Sequence, residues 1–218
     1  MPEPEPEPLL VLDALHSTPA RRYLSADPVP DHVIWAILDA AIRGPSGGNR
    51  QAWGWVVVTD PAIKTQVGQW YREGWSAAYG HRREQILAAP PAPDGLSPRS
   101  FLAAEHLAHH LEEAPVWIFP VLRHAAGAGN PRLGASIYGA VQQLILAARA
   151  YGVGTTLTTL YAGHEDELRD LLELPGDALT MGLLPLGYPA RGRWAQPRRL
   201  PLGEVVHWNR WGATRHRR

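Results

Sequence analysis

Cysteine is absent from the 218 residues. That excludes a disulfide framework, a cysteine-bearing zinc site and a thiol nucleophile together, and a cytoplasmic setting is expected. Lysine is almost absent as well. Lys64 is the only one and stands in no Gly-Lys-Ser/Thr run, so a Walker-type phosphate loop is excluded. Neither charge is in excess. Lys plus Arg and Asp plus Glu both number 21, so no bulk field draws the chain onto nucleic acid. An uncharged apolar run of about 18 residues is missing, and no membrane-spanning helix is expected. The N-terminus lacks a basic segment followed by an apolar one, so no secretory signal is read there. Gly127-Ala-Gly129 lacks the third glycine and the strand-to-helix setting of a dinucleotide fingerprint.

The length suits one large domain or two small ones, and such a chain buries about 70% of its unfolded surface without staples. Residues 1–8 alternate Pro and Glu and read as a disordered, solvated tail. Residues 213–218 form a basic tail. A single domain is expected over 9–212. Within it, Leu9–Leu15 suggests a short helix ending before Pro19. Pro30 and Asp31 open a second, carrying Val33, Ile34, Ile37, Leu38, Ala41 and Ile42 at helical spacing and stopped by Gly44-Pro45. Residues 53–58 read as a strand, and Asp60-Pro61 opens a helix to about Tyr79. The proline-rich stretch 89–98 reads as a loop or lid. A helix is expected over 99–113 and a strand over 115–122, where Pro120 argues for an edge or a bulge. Gly134–Tyr151 is the strongest helix. It is apolar on more than one face, which points to a central helix or a subunit interface. Residues 155–161 are β-prone, 164–172 suggest a short acidic helix, and 179–187 a third strand. Strands separated by long helices give an α/β or α+β fold.

Four groups of residues are candidates to bear chemistry. His106, His109 and His110 share one helix face at metal-competent spacing, though a plain polar face has the same pattern. Arg21-Arg22 and Arg198-Arg199, near opposite ends of the chain, can converge on one anion or stand as separate surface charges. The loop Pro45-Ser46-Gly47-Gly48-Asn49-Arg50-Gln51 is rich in small polar residues. Trp70, Tyr71, Trp75 and Tyr79 can stack on a planar molecule or simply pack.

The loop and its surroundings carry a resemblance. Val29-Pro30 to Ala41, then Gly44-Pro-Ser-Gly-Gly-Asn-Arg-Gln-Ala-Trp53 and Val56–Asp60, are similar to the nitroreductase family of flavin enzymes. The likeness continues in Glu113-Ala-Pro-Val116, Gly152-Val-Gly154, His164–Leu168 and Leu186-Gly-Tyr-Pro189. It closes with Glu204-Val-Val-His-Trp-Asn-Arg-Trp211. It implies an α+β fold with a mixed sheet wrapped by helices. It also implies an intertwined homodimer with an exchanged C-terminal arm at 205–211 and two FMN sites at the interface. Arg21 and Arg22 would bind phosphate or the pyrimidine edge of the flavin, Arg21 being the first candidate for the cation near N1–C2=O. Pro45, Ser46, Gly47 and Asn49 would line the ring from the other subunit, with Gln51 supporting their loop. Leu157, Thr158 and Thr159 would meet the ring near N5, and Arg198 and Arg199 would clamp the phosphate. His106 and His109 would line the substrate cavity with Trp70 and Tyr71, a reading that favours no metal.

The implied activity takes hydride from NAD(P)H through flavin N5 to a nitroaromatic, quinone or other planar acceptor. The cycle is ping-pong, with no side chain as a catalytic residue. Dehydrogenation, reductive dehalogenation, flavin breakdown, and flavin binding or sequestration without turnover are the alternatives. Two departures stand out. Ser17 or Thr18 occupies the place of a usual phosphate-binding arginine, and Ala52 replaces the proline before Trp53.

Overall fold

A computed structural model describes residues 9–90, 96–123 and 132–215. The Pro/Glu tail, the middle of the proline-rich stretch, Gly127-Ala-Gly129 and the end of the basic tail lie outside the described residues.

Local chemistry sets the helix starts. In α3 (Pro61–Tyr79) the Asp60 carboxylate accepts from the N–H groups of Ala62 and Ile63 at 2.8 and 3.0 Å, with Pro61 in the first turn. Ser97 does the same for α5 (Pro98–His110), accepting from Ser100 N–H at 3.2 Å. Pro30 and Asp31 open α2 (Asp31–Ala41). The remaining helices are α1 (Val11–Ser17), α4 (Arg83–Ala88), α6 (Tyr138–Ala150), α7 (Glu165–Leu171) and α8 (Leu202–Val205). The residues after Tyr79 continue through a 3-10 turn into α4, which periodicity left unassigned.

Strands β1 (Trp53–Val58), β2 (Val116–Leu122), β3 (Gly154–Thr155), β4 (Leu179–Thr180) and β5 (Leu184–Gly187) make one sheet in the order β1-β2-β5-β3, with β4 also on β2. Every described pairing is antiparallel, so the expected mixed sheet is corrected within this chain. The edge expected from Pro120 is also corrected: β2 has partners on both sides. Pro120 pairs with Trp55 of β1, and its carbonyl accepts from Met181 N–H at 2.7 Å. The Pro120 nitrogen, on the same strand edge as that carbonyl, lies opposite the gap between β4 and β5, where Gly182 turns the chain at φ 143°. The missing proline N–H is thus accommodated by a break in the neighbour, and the single strand expected over 179–187 becomes two. The β-prone run 155–161 pairs only at Thr155 and through a bridge from Thr158 to Leu183.

Period-two alternation divides the core. Trp117, Phe119 and Val121 face α3 and α5, where Val67, Tyr71 and Phe101 are buried. Val116, Ile118 and Leu122 face α2 and α6, where Val33, Ile37, Ile137 and Leu144 are buried. A strand buried on both faces reads as a continuous apolar run. The α2–α6 contact is tight at Gly44, where a Cβ would lie 2.6 Å from Ala140 Cα. Only glycine lets the chain leave α2 so close to the α6 backbone.

Outside these cores the surface stays unusually apolar. Leu10 is 74% exposed, Trp35 73% and Trp211 91%, and Tyr138, Gly139 and Gln142 leave one side of α6 uncovered. No helix among the described residues is long and apolar enough to cross a membrane.

Candidate functional site

Two segments far apart in sequence pair beside the sheet. Ser25 N–H donates to the Tyr188 carbonyl at 2.8 Å and Ala190 N–H to the Tyr23 carbonyl at 3.0 Å. Leu24 bridges Pro189 in antiparallel sense. Residues 188–194 thus form a strap along 21–25. The Arg21 N–H reaches β3, donating to the Thr155 carbonyl at 2.9 Å.

Arg21 is central to this junction. It is only 8% exposed, and its guanidinium donates to the carbonyls of Arg191 at 2.8 Å and Arg193 at 3.0 Å. It also lies over the Trp194 ring, 5.0 Å from its centroid, while Arg149 of α6 lies 4.3 Å from the same centroid. Burial, then the neighbouring Arg149, pushes the Arg21 pKa down. Arg22 turns toward Tyr71 and Tyr79; burial lowers its pKa while the two phenols oppose the shift. Among the described residues Arg21, Arg22, Arg191, Arg198 and Arg199 form no ion pair with a carboxylate. Beside Arg21, the buried Thr155 hydroxyl has no hydrogen-bond partner. The result is uncompensated positive charge with a spare hydroxyl in a chain of zero net charge.

The Pro45–Gln51 loop sits elsewhere. Pro45 lies against Gly139, and Gly47 N–H donates to Ser136 Oγ at 3.4 Å, so the loop rests on the N-terminal end of α6. Ser46 Oγ accepts from Gln51 N–H at 3.0 Å and closes it. Gly48, Asn49 and Gln51 have φ of 61°, 53° and 50°. Gly48 adopts this left-handed backbone freely, whereas Asn49 and above all Gln51 hold it at a cost, strain of the sort found at ligand sites. Arg21 and Arg149 belong to the other end of α6, about 15 Å away along its axis. One chain therefore holds two separate parts of the expected site.

The other candidates divide. Thr158 Oγ1 shares a 2.8 Å hydrogen bond with the Tyr71 hydroxyl, while Leu157 and Thr159 are exposed. Burial raises the Tyr71 pKa, with that hydrogen bond and Arg22 opposing. Tyr71 and Trp70 are both core side chains, and Trp70 stacks on His164 at 5.2 Å. Both belong to the buried cluster that includes Trp117 and Phe119 of β2. His106 stacks on Tyr23 at 4.2 Å and on His110 at 4.3 Å, and Arg191 lies 3.4 Å over the Tyr23 ring. Burial lowers the His106 pKa, His110 and Arg191 push the same way, and Glu113 opposes. His109 is exposed, and His110 pairs with Glu113 at 2.8 Å. Among the described residues no group of three His, Asp or Glu is arranged to hold a metal. Arg198 and Arg199 are exposed, Arg199 donating to the Arg198 carbonyl at 2.8 Å. Sequence reasoning missed Arg149, Arg191 and Trp194. The available signal was Arg149, the one charged residue in an otherwise uncharged α6.

An antiparallel sheet between two helical layers defines an α+β protein, with arginines gathered where a C-terminal strap meets the first segment. The profile of the Nitroreductase family matches residues 16–188, and the chain belongs to that family. It is 31% identical over 211 residues to an NADH dehydrogenase of Thermus thermophilus, covering 92% of this chain and 98% of that protein. It is 28% identical over 176 residues to iodotyrosine deiodinase 1 of Rattus norvegicus, covering 78% of this chain but only 59% of that longer protein. Among solved structures, the FMN and NADPH-dependent nitroreductase NfnB from sphigopyxis sp. strain HMH superposes with a TM-score of 0.69 at 21% identity. That match covers 93% of this chain and all of the other, and it shows a shared fold.

Proposed function

We propose that the chain is an FMN-dependent NAD(P)H oxidoreductase that reduces a nitroaromatic, a quinone or another planar acceptor. FMN, when bound, supplies the hydride relay between nicotinamide and acceptor. The observation that carries the reading is the set of arginines without carboxylate partners around the strap, beside the buried, unpartnered Thr155 hydroxyl. Phosphate and an electron-rich ring edge are the parts of FMN that such donors fit. Arg21, and Arg198-Arg199 from the exposed C-terminal segment, would hold those parts. Asn49 and the strained loop would meet the ring. Thr158, fixed by Tyr71, would set the wall beside it. The residues needed are binders and orienters, and no side chain has to serve as nucleophile.

The 15 Å between loop and arginines supports a homodimer. An antiparallel α6–α6 contact across a twofold axis brings the N-terminal end of one helix to the C-terminal end of the other. The exposed side of α6, the apolar residues of α1 and the Trp211 arm are the surface such a contact would cover. A cytoplasmic setting goes with this reading. Reductive dehalogenation is the second reading, favoured by the likeness to the deiodinase.

The test is the visible spectrum of the purified protein and its response to NADH and NADPH under argon. Flavin absorbance that bleaches and returns on adding a nitroaromatic or quinone supports the proposal. Bound flavin that neither nucleotide bleaches moves the chain to flavin storage. A protein that retains no flavin and takes up none refutes it.

A further inference from the structure

We propose that His106 is a pH-operated latch for the C-terminal strap. Neutral, it completes a stack that holds Arg191 on Tyr23; protonated, it drives the outer end of the strap off the 21–25 segment.

The geometry is a column of flat groups. The Arg191 guanidinium lies 3.4 Å and the His106 ring 4.2 Å from the Tyr23 ring centroid. Two planar groups that close to one ring cannot share a face, so they sandwich it. His110 then stacks on His106 at 4.3 Å, and its Nδ1 lies 2.8 Å from Glu113. The column thus joins the strap, the 21–25 segment and α5.

A proton on His106 places a second cation across Tyr23 from Arg191. The nearby carboxylates are already engaged. Glu113 pairs with His110, and Glu105, one residue before His106, accepts from Arg83 at 2.7 and 3.2 Å. His109 adds another ionisable ring on the same helix. Burial first, then His110 and Arg191, hold the His106 pKa below its ordinary value; His109 pushes the same way and Glu113 opposes. A setting that disfavours a proton is itself disfavoured by that proton, so protonation favours whatever arrangement relieves it.

The strap is the part that can yield. His106 is anchored on α5, where Phe101, Leu107 and Ala108 are buried. Tyr23 is fixed between Arg22 and Leu24, the latter 8% exposed. Residues 190–193 are exposed. Their ties are Ala190 N–H to the Tyr23 carbonyl, the Arg21 guanidinium to the carbonyls of Arg191 and Arg193, and the Arg191 stack itself. A segment held by so few bonds opens without unfolding the sheet. A plain packing role for His106 explains its contact with Tyr23, but a phenylalanine would serve that role equally and leave the strap indifferent to pH.

The test is amide hydrogen exchange of the full-length protein as purified, read by mass spectrometry between about pH 8 and pH 5 and corrected for the intrinsic pH dependence of exchange. Protection over 188–194 should fall about threefold or more on passing down through the histidine range and then level off, while β2 stays protected. His106→Phe keeps a flat ring on Tyr23 without a titrating group and should abolish the fall. Arg191→Gln removes the cation across the ring and should reduce it. Strap protection that does not change with pH in the wild type overturns the proposal. So does a fall that persists in folded His106→Phe, which moves the titration to another group such as His110. A parallel loss of protection in β2 is global acid unfolding and overturns it as well. If His106→Phe does not fold, Arg191→Gln decides: a reduced fall supports the latch and an undiminished one overturns it.

Discussion

Whether one FMN site draws on two chains can be tested by complementation. The Pro45–Gln51 loop is seated at Ser136 and Gly139, while Arg21 and Arg149 meet over Trp194. Ten residues of α6 separate Gly139 from Arg149, which is about 15 Å of helix axis. The two perturbations are Asn49→Ala and Arg21→Ala, each introduced into a separate chain. Either variant as a homodimer carries the defect in both sites. Loss of a charge-assisted bond at Arg21 costs about 1.5–3 kcal/mol, roughly 10- to 150-fold in affinity. In a heterodimer with trans sites, one site collects both defects and the other collects neither. The two chains are co-expressed with different tags and the heterodimer is isolated by two affinity steps. It should bind tightly about half the wild-type amount of FMN, which equilibrium dialysis measures directly. If both residues serve one site in cis, every heterodimer site has a single defect and no tight binding appears. That outcome, or a chain that stays monomeric, would refute the twofold arrangement.

Three further expectations follow from packing and charge. Gly44→Ala places a methyl 2.6 Å from Ala140 Cα and must push α2 from α6, lowering stability by about 1–3 kcal/mol, seen as a Tm drop of several degrees. The Glu165 carboxylate accepts from Thr180 N–H at 2.8 Å and Thr180 Oγ1 at 2.5 Å, and Tyr161 O–H donates to the same Thr180 oxygen at 2.7 Å. Glu165→Gln turns an NH2 toward one of those donors and should cost about 1–3 kcal/mol in urea unfolding, whereas an unchanged midpoint would deny the network any role. His106 has a depressed folded pKa, so the native state binds fewer protons than the unfolded one across the ordinary histidine range. Stability should therefore fall as pH drops from above the unfolded histidine value through the lower folded value, and the slope should shrink in His106→Gln.

Helix starts were legible because they depend on two or three adjacent residues. Asp60-Pro61 carries both the capping side chain and the proline of the first turn, and α3 begins there, whereas the helix expected from 99 begins one residue earlier, at Pro98 behind the Ser97 cap. The apolar run of β2 was legible as a strand, but its place in the sheet was not. Pro120 signals a missing donor, and only the break at Gly182 in the neighbouring strand shows how that is tolerated inside a sheet. The aromatic residues Trp70 and Tyr71 show the limit for site residues. Their spacing fits a stacking platform and a core face equally, and the fold buries both in one cluster with Trp117 and Phe119. Arg149 and Trp194 were illegible as a pair, since they lie 45 positions apart and meet only through the fold.

The strap explains why site and fold are hard to separate in this chain. The backbone bonds that fix residues 188–194 to 21–25 also orient Arg21, and the Arg21 side chain in turn holds the strap through the carbonyls of Arg191 and Arg193. Removing Arg21 therefore loosens the segment leading to Arg198-Arg199 as well as deleting one cation. A dianion bound at the strap would add its binding energy to the native state alone. At a hundredfold excess over Kd that linkage is about 2.7 kcal/mol. Part of what keeps the C-terminal segment in place is then supplied by the ligand. On the proposed reading, with FMN held at the strap, FMN occupancy and native stability form a single coupled equilibrium.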